Sequence, residues 1–140
     1  MTQPTGIERW IDRVESVAHG IRKRALALTI EKDGCYLSQA LSAAETLAVL
    51  YTRVLNLGPS EGQAVPPPFP GVPRPGFHPL GAAYNGPAEP GRDRLLLSAA
   101  HYAVAVYAAL VETGRMAPEG LSQFNTDGSS VEMIGGEHSP

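Results

Sequence analysis

The chain has 140 residues, 43% of them hydrophobic, which suits one domain with a modest core. Its formal charge is −3 and its pI about 5.8, so bulk charge gives no sign of nucleic-acid binding. No apolar run approaches the roughly 18–20 residues of a membrane span, the N-terminal MTQPTGIERW lacks a basic head and an apolar signal core, and the single cysteine, Cys35, cannot pair internally, so the expected setting is the reducing cytoplasm, away from membranes.

Residues 6–31 predict one long amphipathic helix. Ile7, Trp10, Ile11, Val14, Val17, Ala18, Ile21, Ala25 and Leu28 recur at spacings of three and four and form one stripe. Gly20 weakens its middle by about 1 kcal/mol relative to Ala, and Asp33-Gly34 is a turn signal that ends it. The basic cluster Arg22, Lys23, Arg24 reads as the solvated face.

Residues 35–41, CYLSQAL, read as a connector. Ser42-Ala43-Ala44-Glu45 then matches a capping box, in which serine and glutamate each take the other's backbone N–H. A helix is expected from there to about Asn56, with Leu47, Leu50, Tyr51 and Val54 on one face.

Residues 59–92 hold ten of the thirteen prolines and six of the fifteen glycines. Proline removes donors and fixes φ, so helix and inner strand are both disfavoured. The stretch reads either as a mobile loop or as an extended arm lying on a partner, with Phe69, Phe77, His78, Leu80 and Tyr84 available for burial.

Leu95-Leu96-Leu97-Ser98 follows Arg92-Asp93-Arg94 and reads as a buried strand of a parallel sheet. Residues 100–113 return to helical spacing, with Val104, Tyr107, Ala108 and Val111 in register and Gly114 as the cap. Pro118 suits the first turn of a short helix ending near Phe124, and Asn125 to Pro140 reads as loop. Helices around at least one buried strand indicate an α/β layer architecture.

Two segments resemble the start of transketolases and their split N-terminal subunits. Leu41 to Tyr51, LSAAETLAVLY, is similar to the family's LSAAEILAVLY, which follows a GHPGGS-type loop. Arg92 to His101, RDRLLLSAAH, with Tyr107-Ala108-Ala109-Leu110 after it, is similar to RDRFVLSKGH and the YAAL-like helix beyond. The tail from Phe124 to Pro140 resembles the family's next section.

The resemblance implies the first part of a doubly wound α/β thiamine diphosphate-binding domain, mostly helical with one or few parallel strands. Residues 1–140 would be a partial domain with a Pro/Gly-rich insert at 59–92. It further implies a subunit that, with companion transketolase-like chains, moves a two-carbon ketol or acyl unit of a small-molecule substrate. The cofactors implied are thiamine diphosphate, which supplies the carbanion-stabilising chemistry, and Mg²⁺. The GDG…N motif that holds the metal in the family is absent from this sequence, as are the GSLGQG loop and the later activating glutamate. The companions are expected to bring them, and no metal ligand is assigned here.

His101 matches the histidine of SKGH and is expected to be catalytic and to touch the cofactor. Ser98, the serine of that motif, is a second cofactor-binding candidate. The histidine of the GHPGGS loop aligns with Tyr36, or with Cys35 under a one-residue shift, and Tyr36 is the other catalytic candidate. An imidazole can bind phosphate or shuttle a proton at neutral pH, whereas a tyrosine of pKa near 10 is a poor shuttle there. Ala99-Ala100 replaces the Lys-Gly of SKGH, and the loop Cys35 to Gln39 has no glycine. These departures favour an altered donor or acceptor over ordinary ketose-phosphate transfer. They also leave an alternative: a degenerate, non-catalytic scaffold or regulatory subunit. Cys35 lacks His/Asp partners for a nucleophile. Asp127, Glu132, Glu137 and His138 match no standard metal spacing and read as polar loop, although His138 lines the substrate channel if the tail folds as in the family. His19 and His78 carry no signal.

Overall fold

A computed structural model describes residues 6–71 and 79–140. Phe77 and His78 therefore lie outside the described residues. About half of the chain is helical. The order is α1 (Gly6–Glu31), α2 (Leu37–Val49) continued by a π-helical turn (Leu50–Val54), α3 (Leu80–Tyr84), a 3₁₀ turn (Ala100–Tyr102) leading into α4 (Ala103–Glu112), and a last 3₁₀ turn (Pro118–Gln123).

The stripe expected on α1 is its buried face. Val14, Val17, Ala18, Ile21, Ala25 and Leu28 are all in the core, with Trp10 packed at its edge; Ile11 falls outside it. Asp33 and Gly34 both take positive φ (53° and 121°) and turn the chain back. α2 then runs antiparallel to α1, as three ties in order show. Thr29 Oγ1 meets Cys35 Sγ at 2.9 Å, Arg22 pairs with Glu45 and donates to the Leu41 carbonyl, and Arg53 lies over the Trp10 ring.

These ties correct two expectations. α2 begins at Leu37, inside the expected connector, so Ser42 is mid-helix and donates to the Gln39 carbonyl (3.0 Å) instead of capping. Glu45 is spent on Arg22, whose hydrogen bond holds its carboxyl below the usual range. The basic cluster is likewise only partly a solvated face. Arg22 reaches α2, and Arg24 Nε meets Glu112 Oε1 of α4 at 2.5 Å. Gly20 now has a reason: a Cβ there would overlap the Glu112 carboxyl group, so glycine leaves room for the ion pair.

α4 is the centre of the molecule. Ala103 to Val111 are buried without a break, the pattern of a helix enclosed on all sides. α1 and α2 cover it. The apolar faces of the long helix and the alanine-rich helix therefore cover one another. Its C-terminus is a Schellman motif. Gly114 adopts φ 72°, Arg115 N–H donates to Leu110 C=O (2.7 Å), and Gly114 N–H donates to Val111 C=O (3.0 Å).

The expected strand is not formed. Residues 92–97 have no regular structure, Leu96 is 88% exposed and Leu97 41%. Among the described residues there is no β-ladder, only an isolated antiparallel bridge between Pro68 and Ser129. The physical reason is the absence of neighbours. A strand persists through ladder hydrogen bonds, and of Leu95 to Ser98 only Leu95 finds a substitute among the described residues. Its N–H donates to Asn85 Oδ1 (2.8 Å), and Asn85 Nδ2 donates back to its carbonyl (3.4 Å).

The described parts of the Pro/Gly-rich segment lie along this chain's own surface. Ala117 N–H donates to Ala64 C=O (2.7 Å), Phe69 N–H to Gly128 C=O (2.8 Å), and Ser130 Oγ to Pro67 C=O (2.6 Å). Arg115 ties the entry to the segment to the end of α3, donating to Gly58 C=O (2.8 Å) and Tyr84 C=O (2.6 Å). α3 falls inside this segment despite its composition, because Pro79 precedes the helix instead of interrupting it.

Candidate functional site

The two catalytic candidates, 65 positions apart in sequence, are neighbours in space. Tyr36 immediately precedes α2 as its cap residue, and His101 lies in the 3₁₀ turn that opens α4. Their ring centroids are 5.6 Å apart at an interplanar angle of 59°. On its other side His101 meets Tyr102, at 5.0 Å and 48°. The imidazole is half-buried and accepts or donates no hydrogen bond among the described residues. Ser98, three residues earlier, is exposed at the end of the leucine run.

The local backbone explains why this junction is polar. Neither Tyr36 nor Ala99 supplies a side-chain cap to the helix that follows. First-turn N–H groups with no side-chain cap are left to solvent or to a ligand, and they carry the positive end of the helix dipole. Tyr36, at the start of α2, and the turn that opens α4 lie side by side at the His101 ring. An anionic oxygen group fits this donor set. A divalent cation does not, and among the described residues no three of His, Cys, Asp and Glu gather as a metal-holding group.

Beside the same turn, but on the opposite face of α4, lies a cavity of about 470 Å³. The Leu95–Leu97 run, Val106, Tyr107 and the Gly135–Gly136 loop form its walls. Gly135 N–H donates to Ala100 C=O (3.1 Å), which fixes this loop against the turn carrying His101. The Tyr107 hydroxyl is buried with no hydrogen-bond partner among the described residues. Burial pushes its pKa up to about 12, opposed in part by the nearby Ser139 side chain and Glu132 backbone.

Two groupings were missed by sequence reading. Tyr102 carried no motif of its own. Glu132 and His138, read as separate loop residues, form a pair: His138 Nε2 lies 2.5 Å from Glu132 Oε2, under the edge of Phe69 at 4.3 Å. An i, i+6 pairing across a glycine turn has no periodic signature that could have announced it. Cys35 is spent on packing and on its contact with Thr29.

No protein-family model matches the chain. Over 118 residues, 84% of its length, it is 32% identical to a protein of Sinorhizobium fredii (strain NBRC 101917 / NGR234) that is named as an uncharacterized transketolase family protein. The chain spans about a third of that relative's length (33%). It is thus linked to the transketolase family through one stretch of a much longer protein. No described helix is long and apolar enough to cross a membrane.

Proposed function

We propose that this chain is one subunit of a thiamine diphosphate-dependent, transketolase-like transferase, cytoplasmic and active only with companion polypeptides. The observation that carries the reading is the bare apolar run Leu95–Ser98. It leads directly to His101, exposes Leu96 almost fully, and has no ladder partner. A run of this composition suits the interior of a sheet, so companion strands are the natural complement. The relative is about two and a half times as long as this chain, which supports the same view.

In this reading His101 is the catalytic residue. It binds the diphosphate end of the cofactor beside the two uncapped helix starts and holds or moves a proton through a free ring nitrogen. Ser98 adds a hydroxyl at the same edge. The bound cofactor supplies the carbanion-stabilising chemistry for moving a two-carbon ketol or acyl unit. Mg²⁺ ligands and the activating carboxylate come from the companions.

The test is reconstitution. The chain is purified with the polypeptides encoded beside it and titrated with thiamine diphosphate and Mg²⁺. Saturable cofactor binding and ketol transfer by the assembly, with neither by the chain alone, are the expected results. An intact assembly that binds no cofactor and turns over no ketol donor would refute the reading.

A further inference from the structure

Half-exposed histidines usually keep their rings in place through a hydrogen bond from one nitrogen to a carbonyl or carboxylate, which also fixes the tautomer. His101 has no such anchor among the described residues. What it has instead is an aromatic ring on either side. Tyr36 approaches from the cap position of α2, and Tyr102 from the same turn of the chain. Both centroid separations, 5.6 and 5.0 Å, fall in the range where aromatic rings attract, and both pairs are tilted, as the ring quadrupoles prefer.

The Tyr102 contact depends on unusual local structure. Adjacent side chains of a regular helix diverge and do not face one another. Here the turn is 3₁₀, and Tyr102 itself sits at φ −90°, ψ 2°, outside the helical well and just before α4 begins. The contact between rings 101 and 102 accompanies this departure from helical geometry at Tyr102.

We propose that Tyr102 is a positioning residue which, together with Tyr36, clamps the His101 ring and leaves both of its nitrogens free for a ligand. This rests on the reading of His101 as the ligand-facing residue and deepens it. The ring of Tyr36 is committed to His101, so the connector before α2 contributes no second imidazole and no independent proton shuttle. The clamp then accounts for a tyrosine at a position where the resemblance has a histidine.

The experiment is solution NMR on the full chain labelled with ¹³C and ¹⁵N. In the unmodified protein, His101 is expected to occupy a single χ1 rotamer. Its ring protons should show cross-relaxation to both the Tyr36 and Tyr102 rings and resonances displaced from random-coil positions. Tyr102→Phe should preserve all three features. Tyr102→Leu should average the rotamers and move the His101 ring resonances toward random-coil positions, while the core signals of Tyr107 and Phe124 stay in place. If Tyr102→Leu does not fold, the unmodified protein still decides. Rotamer averaging there, or no cross-relaxation to Tyr102, overturns the clamp. A single unchanged rotamer in folded Tyr102→Leu overturns it too. The readout needs no cofactor, so an inactive assembly with an intact clamp would sink the proposed transferase and leave the clamp standing.

Discussion

Replacing Tyr107 by Phe is expected to stabilise the protein, although Tyr107 is among the largest fully buried side chains. Its hydroxyl has no partner among the described residues, and an unsatisfied buried polar group costs about 1–3 kcal/mol. Phenylalanine keeps the ring and removes that cost. A gain of about 1 kcal/mol at neutral pH follows, or a rise in Tm of roughly 3–5 °C for a domain of this size. The alkaline limb provides an internal check. Burial raises the folded pKa of both Tyr107 and Tyr84 to about 12, from about 10 in the unfolded chain. Both are protonated in either state below pH 10, so the full stability is present there. Between about pH 10 and 12 the unfolded tyrosines ionise first, the native state holds more protons, and stability falls. Two units amount to about 2.7 kcal/mol per tyrosine. Burial raises Tyr51 further still, so three tyrosines share this behaviour, and urea titrations from pH 7 to 11.5 should show a loss in the parent chain that shrinks by roughly a third in Tyr107→Phe. A variant destabilised at pH 7 by 1 kcal/mol or more, with its alkaline slope unchanged, would refute the reasoning.

Arg115→Ala removes two charge-assisted hydrogen bonds to the carbonyls of Gly58 and Tyr84 and should cost about 2–4 kcal/mol in urea unfolding. Proteolytic cleavage within 59–92 should become faster, and an unchanged midpoint would count against the tie. Leu96→Asp should alter the isolated chain by less than about 0.5 kcal/mol, because the side chain is almost fully exposed, yet abolish co-purification with the companions. Assembly that survives this change would remove the leucine run from the interface. Since α1, α2 and α4 cover one another, the isolated chain should melt cooperatively as a monomer in analytical ultracentrifugation and calorimetry. Aggregation during folding at low concentration would contradict that packing.

The elements most legible in the sequence were those whose signal is local. The α1 stripe, buried from Val14 to Leu28, spans about four turns, and Asp33-Gly34 and Gly114 have backbone conformations that few other residues adopt. What could not be read depends on remote partners. Ser42 and Glu45 have the spacing of a capping box, but Arg22 on α1 offers Glu45 a stronger partner. Leu95–Ser98 has strand composition without the strands to pair with. The site was half legible. The motif alignment pointed to His101 and Tyr36, and the fold brings them into contact. Tyr102 entered only through the 3₁₀ start of α4, a local geometry that composition does not announce.

The central claim is that His101 carries chemistry within an assembly. It is tested most directly by comparing His101→Ala with the parent chain in the reconstituted complex, measuring thiamine diphosphate affinity and ketol-transfer rate together. The expected result is a complex of unchanged composition with weakened cofactor binding and a turnover reduced by at least about 100-fold, as for loss of a general acid–base group. Unchanged affinity and turnover in an intact complex would contradict the account and leave this chain a scaffold.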